Sequence, residues 1–204
     1  MEQNKDQPFF IYVSHHATHM SIQARKEMID KFSDKEGKLQ KNKRFAAMNA
    51  QMDDGIGVLL QKIKDLGLAD NTLIVFTSDN GGLPQSPQDP LRGYKGMYYE
   101  GGIRVPFIAC WPGTIKPGTV QATPIINVDM FATFMDVSKK AVPSDKILDG
   151  KSLVSLFKQE KELEPRAIFW HFPGYLDKPN PGSRDDVFRS RAVSARLNVR
   201  AAAS

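Results

Sequence analysis

Asp79-Asn80 is the residue pair in this sequence best placed to do chemistry. A carboxylate sits beside a carboxamide, shortly after the apolar run Leu73-Ile74-Val75-Phe76 and directly before Gly81-Gly82. Adjacent hard oxygen donors suit Ca²⁺ or Mg²⁺ better than zinc or copper. Open α/β sheets collect ligands beyond the carboxyl ends of their strands, which is where this pair falls. The two glycines are expected to let the backbone approach a bound ion closely. The same residues also read as an Asx turn that ends a strand, and from the dipeptide alone that plainer reading is the stronger. Lys95, in Leu91-Arg92-Gly93-Tyr94-Lys95-Gly96, can carry a point charge to an anion or stand as an ordinary solvated loop lysine. His15, His16 and His19 can bind metal, exchange protons or simply occupy a loop, and a three-histidine metal site is the weakest of these readings. Cys110 lies inside an apolar run and reads as a small hydrophobe, not a nucleophile.

These residues need elements to position them. Pro8-Phe9-Phe10-Ile11-Tyr12-Val13 reads as a buried strand, followed by the histidine-rich loop. Phe45, Met48, Met52, Ile56, Leu59, Ile63 and Leu66 recur at gaps of three or four and predict an amphipathic helix, with Gly67 at its C-terminal stop. Residues 72–78 read as a continuous buried strand of the kind found in parallel sheets. A long loop rich in proline and glycine then leads to a second strand over 104–111. A helix is expected over 127–137, with Met130, Phe131, Phe134 and Met135 as its buried positions. A short helical segment over 150–157 and a short strand over 167–171 complete the order. That succession indicates an α/β fold without internal repeats.

Composition narrows the function classes. Lys and Arg number 28 against 23 Asp and Glu, a net charge of +5. In the basic stretch 25–44 the acids Glu27, Asp30, Asp34 and Glu36 interleave, as on a solvated helical face, and no aromatic residues alternate with the cations to stack bases. Nucleic acid is therefore not expected as a partner. No apolar run approaches the roughly 20 residues of a membrane span. One cysteine excludes an internal disulfide and a thiolate zinc site.

The order of the motifs says more than any one of them. His19 follows an apolar run. A long amphipathic helix comes next, then Thr77-Ser78-Asp79-Asn80-Gly81-Gly82, Gly93-Tyr94-Lys95-Gly96 and Glu100-Gly101-Gly102-Ile103-Arg104-Val105-Pro106. Together with Met52-Asp53-Asp54-Gly55-Ile56-Gly57, Leu66-Gly67-Leu68-Ala69-Asp70-Asn71-Thr72, Cys110-Trp111-Pro112-Gly113 and Phe169-Trp170-His171-Phe172-Pro173, this series resembles the type I, formylglycine-dependent sulfatases. The resemblance runs from Pro8 to about Arg196. It implies an alkaline-phosphatase-like α/β sandwich, with a mostly parallel mixed sheet flanked by helices. It further implies that Asp79 and Asn80 are ligands of an active-site Ca²⁺, or Mg²⁺, and that Lys95 contacts the sulfate. His19 contacts the sulfate or protonates the leaving oxygen; its setting, Thr18-His19-Met20-Ser21, departs from the family's commoner His-Thr-Pro. The implied partner is a sulfated small molecule or carbohydrate.

One departure is large. The family's nucleophile is a formylglycine made from the first residue of a Cys-x-Pro-Ser-Arg-type motif, and Cys110, followed by Trp111-Pro112-Gly113, does not match it. The chain is accordingly expected to be the C-terminal portion of a sulfatase catalytic domain, truncated at both ends. Residues 8–182 form its core, and 183–204 begin the connection to a small C-terminal domain. The formylglycine, and any signal for periplasmic or secreted export, are expected upstream. A phosphonate or phosphodiester hydrolase of the same superfamily, or a non-catalytic sulfatase-like binding protein, is the alternative. The substrate-selecting loops are expected at 83–90 and 175–186. Without the nucleophile, the purified 204-residue chain is expected not to hydrolyse an aryl sulfate, and measurable turnover contradicts this reading.

Overall fold

The computed structural model describes residues 1–38, 41–84, 86–171 and 199–200. Residues 172–198, which include most of the expected C-terminal connection and of the 175–186 loop, lie outside the described residues. The chain forms two compact units, one from Met1–Thr72 with Leu83–Pro87, the other from Leu73–Gly82 with Gln88–Ser204.

The first unit is built on two helices, α1 (Lys26–Asp30) and α2 (Lys43–Asp65). α2 is the helix its apolar stripe predicts. Asn42 caps it by accepting the Phe45 N–H at 3.1 Å. At the other end Gly67 takes φ +69°. The Gly67 and Leu68 N–H groups then donate to the Lys64 and Ile63 carbonyls, closing a Schellman turn. Phe45, Ala47 and Met48 are buried on α2 and Met28 on α1, and the Arg25 N–H donates to Gln51 Oε1 at 3.0 Å across the pair. The expected first strand is not formed. Residues 9–13 take no regular structure, and Phe10 and Tyr12 are 66% and 81% exposed. A strand needs a neighbour for its backbone donors and acceptors, and the described residues of this unit offer only helices and turns.

The second unit holds a four-stranded sheet in the order β1-β2-β4-β3, with β1 Ile74–Thr77, β2 Phe107–Cys110, β3 Val120–Gln121 and β4 Val199–Arg200. β1 and β2 run antiparallel, with Ile74 opposite Cys110 and Thr77 opposite Phe107. β2 and β4 are parallel, and β3 and β4 antiparallel. The sheet is mixed, as expected, but its described pairings are mainly antiparallel. The long connection between β1 and β2 carries only the short helix α3 (Glu100–Ile103), so no crossover helix forces the strands to run the same way. The run 167–171, expected as a strand, has no regular structure.

One face of this sheet carries the core. Phe107 and Ala109 are buried while Ile108 and Cys110 are only half-buried, the two-residue alternation of a sheet packed on one side. Leu73 and Val75 pack on the same side, whereas Phe76 is 39% exposed, so β1 is not the doubly covered strand its apolar run predicts. Ile115, Ile125, Leu153, Leu156 and Phe157 complete the cluster, the last two from α5 (Val154–Phe157).

α4 (Asp129–Val137) forms where expected; of its expected buried positions, Met130, Phe134 and Met135 are half-buried, with Met130 packed on the core. Phe131 is 56% exposed, and the fully buried side chains are Asp129 and Thr133. Arg166 offsets the burial of Asp129: its Nη1 donates to Asp129 Oδ1 at 2.7 Å, and its Nη2 donates to Oδ2. The Asp129 carboxylate also accepts the Ile126 N–H at 2.9 Å and the Lys151 N–H at 2.8 Å. Thr133 Oγ1 donates to the Asp129 carbonyl and accepts the Leu153 N–H. Truncating one partner strands the other charge in the core. Arg166→Ala is therefore expected to cost about 3–5 kcal/mol in urea unfolding. Arg166→Lys restores only part of the loss, because a single ammonium lacks the two-pronged fork. An unchanged unfolding midpoint in Arg166→Ala shows that the pair is not structural.

Candidate functional site

The site candidates of the second unit gather where β1 ends. Thr77 Oγ1 donates to the Pro106 carbonyl at 3.0 Å, pinning the strand end to the residue before β2. Ser78 Oγ lies 3.0 Å from the Asn80 carbonyl and 3.4 Å from Asp79 Oδ1, turning the chain sharply. Asp79 is thereby exposed and Asn80 half-buried. Asn127 Nδ2 reaches the Ser78 carbonyl at 3.4 Å.

Three glycine-bearing segments stack behind this turn. The Gly81 N–H donates to the Gly102 carbonyl at 2.8 Å, the Lys95 N–H to the Gly82 carbonyl at 2.9 Å, and the Gly101 N–H to the Arg92 carbonyl at 2.7 Å. The approach is too close for a side chain. A Cβ on Gly81 would lie 1.9 Å from the Gly101 carbonyl oxygen, and one on Gly101 would lie 2.1 Å from that of Gly93. Gly81 is thus spent on backbone-to-backbone packing, not on approach to an ion as its position beside Asp79-Asn80 suggests. The effect on the site is indirect but firm. The loop carrying Lys95 is bonded to the loop carrying Asp79 and Asn80, with both anchored on α3.

A cleft of about 270 Å³ opens beside the turn. Asp79, Asn80 and Asn127 contribute polar groups to it, and Met97, Ile126 and Met130 contribute apolar ones. Trp170 and His171 also line it. Lys95 is half-buried; its neighbours Gly96 to Tyr98 line the cleft, and it forms no ion pair among the described residues. Asp79 likewise has no cationic partner among them, which leaves both charges available to a ligand.

As a cation site, Asp79 and Asn80 have fitting chemistry, two hard oxygen donors on consecutive residues facing a polar recess. They are a partial shell. Ca²⁺ takes about six to eight oxygens, and the described residues contain no group of three or more His, Cys, Asp and Glu side chains able to hold a metal. His19 belongs to the first unit, in an exposed turn where its N–H donates to the His16 carbonyl and its Nδ1 lies 2.9 Å from the Met20 carbonyl oxygen. The His16 and His19 rings stand 5.7 Å apart, tilted, which is a contact between rings and not a shared ligand geometry. Cys110 is half-buried with a free thiol in β2.

Sequence reasoning gave no role to Trp170, His171, Asn127 or the Asp129–Arg166 pair. For Trp170-His171 the available signal was the Phe169-Trp170-His171-Phe172-Pro173 motif, which carried the family resemblance without a site role. For the ion pair there was none, since its members are far apart in sequence.

A family profile described as sulfatase matches residues 1–140, and one described as N-sulphoglucosamine sulphohydrolase, C-terminal, matches residues 94–190. A sulfatase of Formosa agariphila is 36% identical over 191 residues, covering 86% of this chain and 34% of that protein. N-acetylgalactosamine-6-sulfatase of Homo sapiens is 33% identical over 175 residues, covering 83% of this chain and 32% of that protein. The crystal structure of Ps i-CgsB in complex with k-i-k-neocarrahexaose matches with a TM-score of 0.70 at 34% identity, over 78% of this chain and 35% of that chain. This chain thus spans about a third of the length of these relatives. The stacked glycines give a direct test of the site's architecture. Gly101→Ala is expected to speed amide exchange at Gly81 and Lys95 by at least about tenfold, by prising the loops apart. Unaltered exchange at both amides shows that the loops are held by something else.

Proposed function

This chain belongs to the sulfatase family, and on that premise we propose that it supplies the metal- and sulfate-holding part of a sulfuric ester hydrolase. The observation that carries the reading is the backbone bonding of the Lys95 loop to the Asp79-Asn80 turn, with both bordering one cleft. That arrangement supports a carboxylate and a carboxamide at the cleft, with a lysine on the adjoining loop, as the groups that hold a cation and a sulfate.

Cleaving a sulfate ester moves negative charge onto the non-bridging oxygens and the bridging oxygen that leaves. Groups already aimed at those atoms lower the barrier, because no reorganisation is required as the charge develops. Lys95 neutralises charge on the sulfate. His19 contacts the sulfate or delivers a proton to the leaving oxygen. Asp79 and Asn80 hold a divalent cation, Ca²⁺ or Mg²⁺, which when bound supplies Lewis-acid polarisation of the sulfate oxygens. The formylglycine nucleophile comes from a part of the enzyme other than these residues, since no Cys-x-Pro-Ser-Arg-type motif occurs here. The substrate is a sulfated small molecule or carbohydrate, as the names of the relatives suggest for those proteins.

In the whole enzyme, Lys95→Ala is expected to lower kcat/KM for a sulfate ester by about 10²-fold, the usual consequence of removing one group that meets charge in the transition state. Turnover of a matched phosphate ester, measured alongside, tests the reaction class. A wild-type preference for the sulfate ester supports the proposal. A Lys95→Ala enzyme within twofold of wild type removes lysine from the site, and a wild-type preference for the phosphate ester overturns the sulfatase reading.

A further inference from the structure

We propose that Trp170 and His171 are the substrate-recognising wall of the cleft, Trp170 stacking on the ring face of a sulfated hexose and His171 hydrogen-bonding its hydroxyls. The proposal rests on the hydrolase reading of Asp79, Asn80 and Lys95, and names what that site recognises beyond the sulfate.

Position is the first argument. Trp170 and His171 line the same cleft as Asp79 and Asn80, so a ligand whose sulfate lies at the turn must present the rest of itself to them. Their state is the second. Trp170 is half-buried and His171 exposed, and neither makes a hydrogen bond or ion pair among the described residues. Two side chains with polar hydrogens therefore line the cleft without a hydrogen-bond partner among the described residues. Anchorage is the third. The segment that carries them has no regular structure, yet Leu163 packs on the core and Arg166 is clamped to the buried Asp129. The wall is held in place four residues before Trp170, and a preorganised wall spends less of its binding energy on ordering.

The mixed lining points to a sugar. A pyranose has an apolar face of C–H groups, slightly positive, that suits the negative face of an indole ring. Its edge carries hydroxyls, which need partners such as Asn127 and His171. An aryl or steroid sulfate offers an apolar body with no hydroxyl edge and would leave those groups unmatched. A cleft of about 270 Å³ lies at the lower end of small-ligand sites, in keeping with one ring and not several.

The test uses the whole enzyme and two substrates, N-acetylgalactosamine 6-sulfate and 4-nitrophenyl sulfate. Trp170→Ala is expected to raise KM for the sugar sulfate about tenfold with kcat little changed, the mark of lost binding common to ground and transition states. Trp170→Phe recovers most of the loss, and the aryl sulfate's KM stays within about twofold in both variants. His171→Ala is expected to weaken the sugar sulfate selectively in the same way. An unchanged sugar KM in Trp170→Ala overturns the proposal, as does an equal rise for both substrates, which marks a merely structural wall. A second readout does not need catalysis. The difference in fluorescence between wild type and Trp170→Phe isolates the Trp170 signal. Saturable quenching by N-acetylgalactosamine 6-sulfate supports the wall even where the wild-type enzyme hydrolyses neither ester, an outcome that would sink the hydrolase reading alone. Absence of quenching in an enzyme that does hydrolyse the sugar sulfate overturns the wall and leaves the hydrolase reading standing.

Discussion

A single carboxylate organises the second unit. Asp129 is fully buried and receives four donors: two from the Arg166 guanidinium and one each from the Ile126 and Lys151 backbone. Taking a carboxylate out of water costs several kcal/mol, and only dense, well-aligned hydrogen bonding offsets it. The donors come from three separated stretches of chain, so the compensation exists only when all three are in place. Thr133 extends the network by bridging the Asp129 carbonyl to the Leu153 N–H, at the most deeply buried leucine of the core. Around this knot the first turn of α4, the approach to α5 and the irregular segment ending in Trp170-His171 take up fixed relations. Two sides of the cleft, at Ile126-Asn127 and at Trp170-His171, are both within a few residues of it.

The other side of the cleft depends on a different constraint, the absence of side chains. Gly81, Gly101 and Gly102 allow three backbones to meet at distances that a Cβ would forbid. Lys95 is drawn in by its N–H bond to Gly82, and α3 closes the stack with its Glu100–Arg104 ion pair at 2.9 Å. The division of labour is clear. Charge and hydrogen bonding fix the wall at Trp170-His171, and steric permissiveness fixes the turn at Asp79-Asn80.

The sequence made some of this legible and hid the rest for physical reasons. α2 could be read because a helix is local: its stripe, its Asn42 cap and its Gly67 stop all lie within one segment. The strands at 74–77 and 107–110 were visible as apolar runs, but their direction and single covered face were not, since both depend on which elements lie alongside. The run at 9–13 misled for the same reason, apolar enough for a strand but in a unit whose described elements are all helices. Asp129 and Arg166 are 37 residues apart, and no periodicity marks a polar residue that will be buried. The expected apolar face of α4 was wrong at Phe131, while Asp129 and Thr133 are fully buried. The order of motifs pointed to the sulfatase family, and the matching profile and relatives agree. The order also named Asp79, Asn80 and Lys95, whose loops the structure joins.

What these two constraints produce is a recess with a carboxylate, without a cationic partner among the described residues, and a carboxamide at its rim, and a lysine on the adjoining loop. Under the proposed function, the rim pair holds a divalent cation used on a sulfate ester. Calorimetric titration of Ca²⁺ into the whole enzyme, wild type and Asp79→Ala, with sulfate-ester turnover followed on the same samples, addresses it most directly. The account predicts that Ca²⁺ affinity and turnover fall together in Asp79→Ala. Full turnover with unchanged metal content in that variant would contradict it.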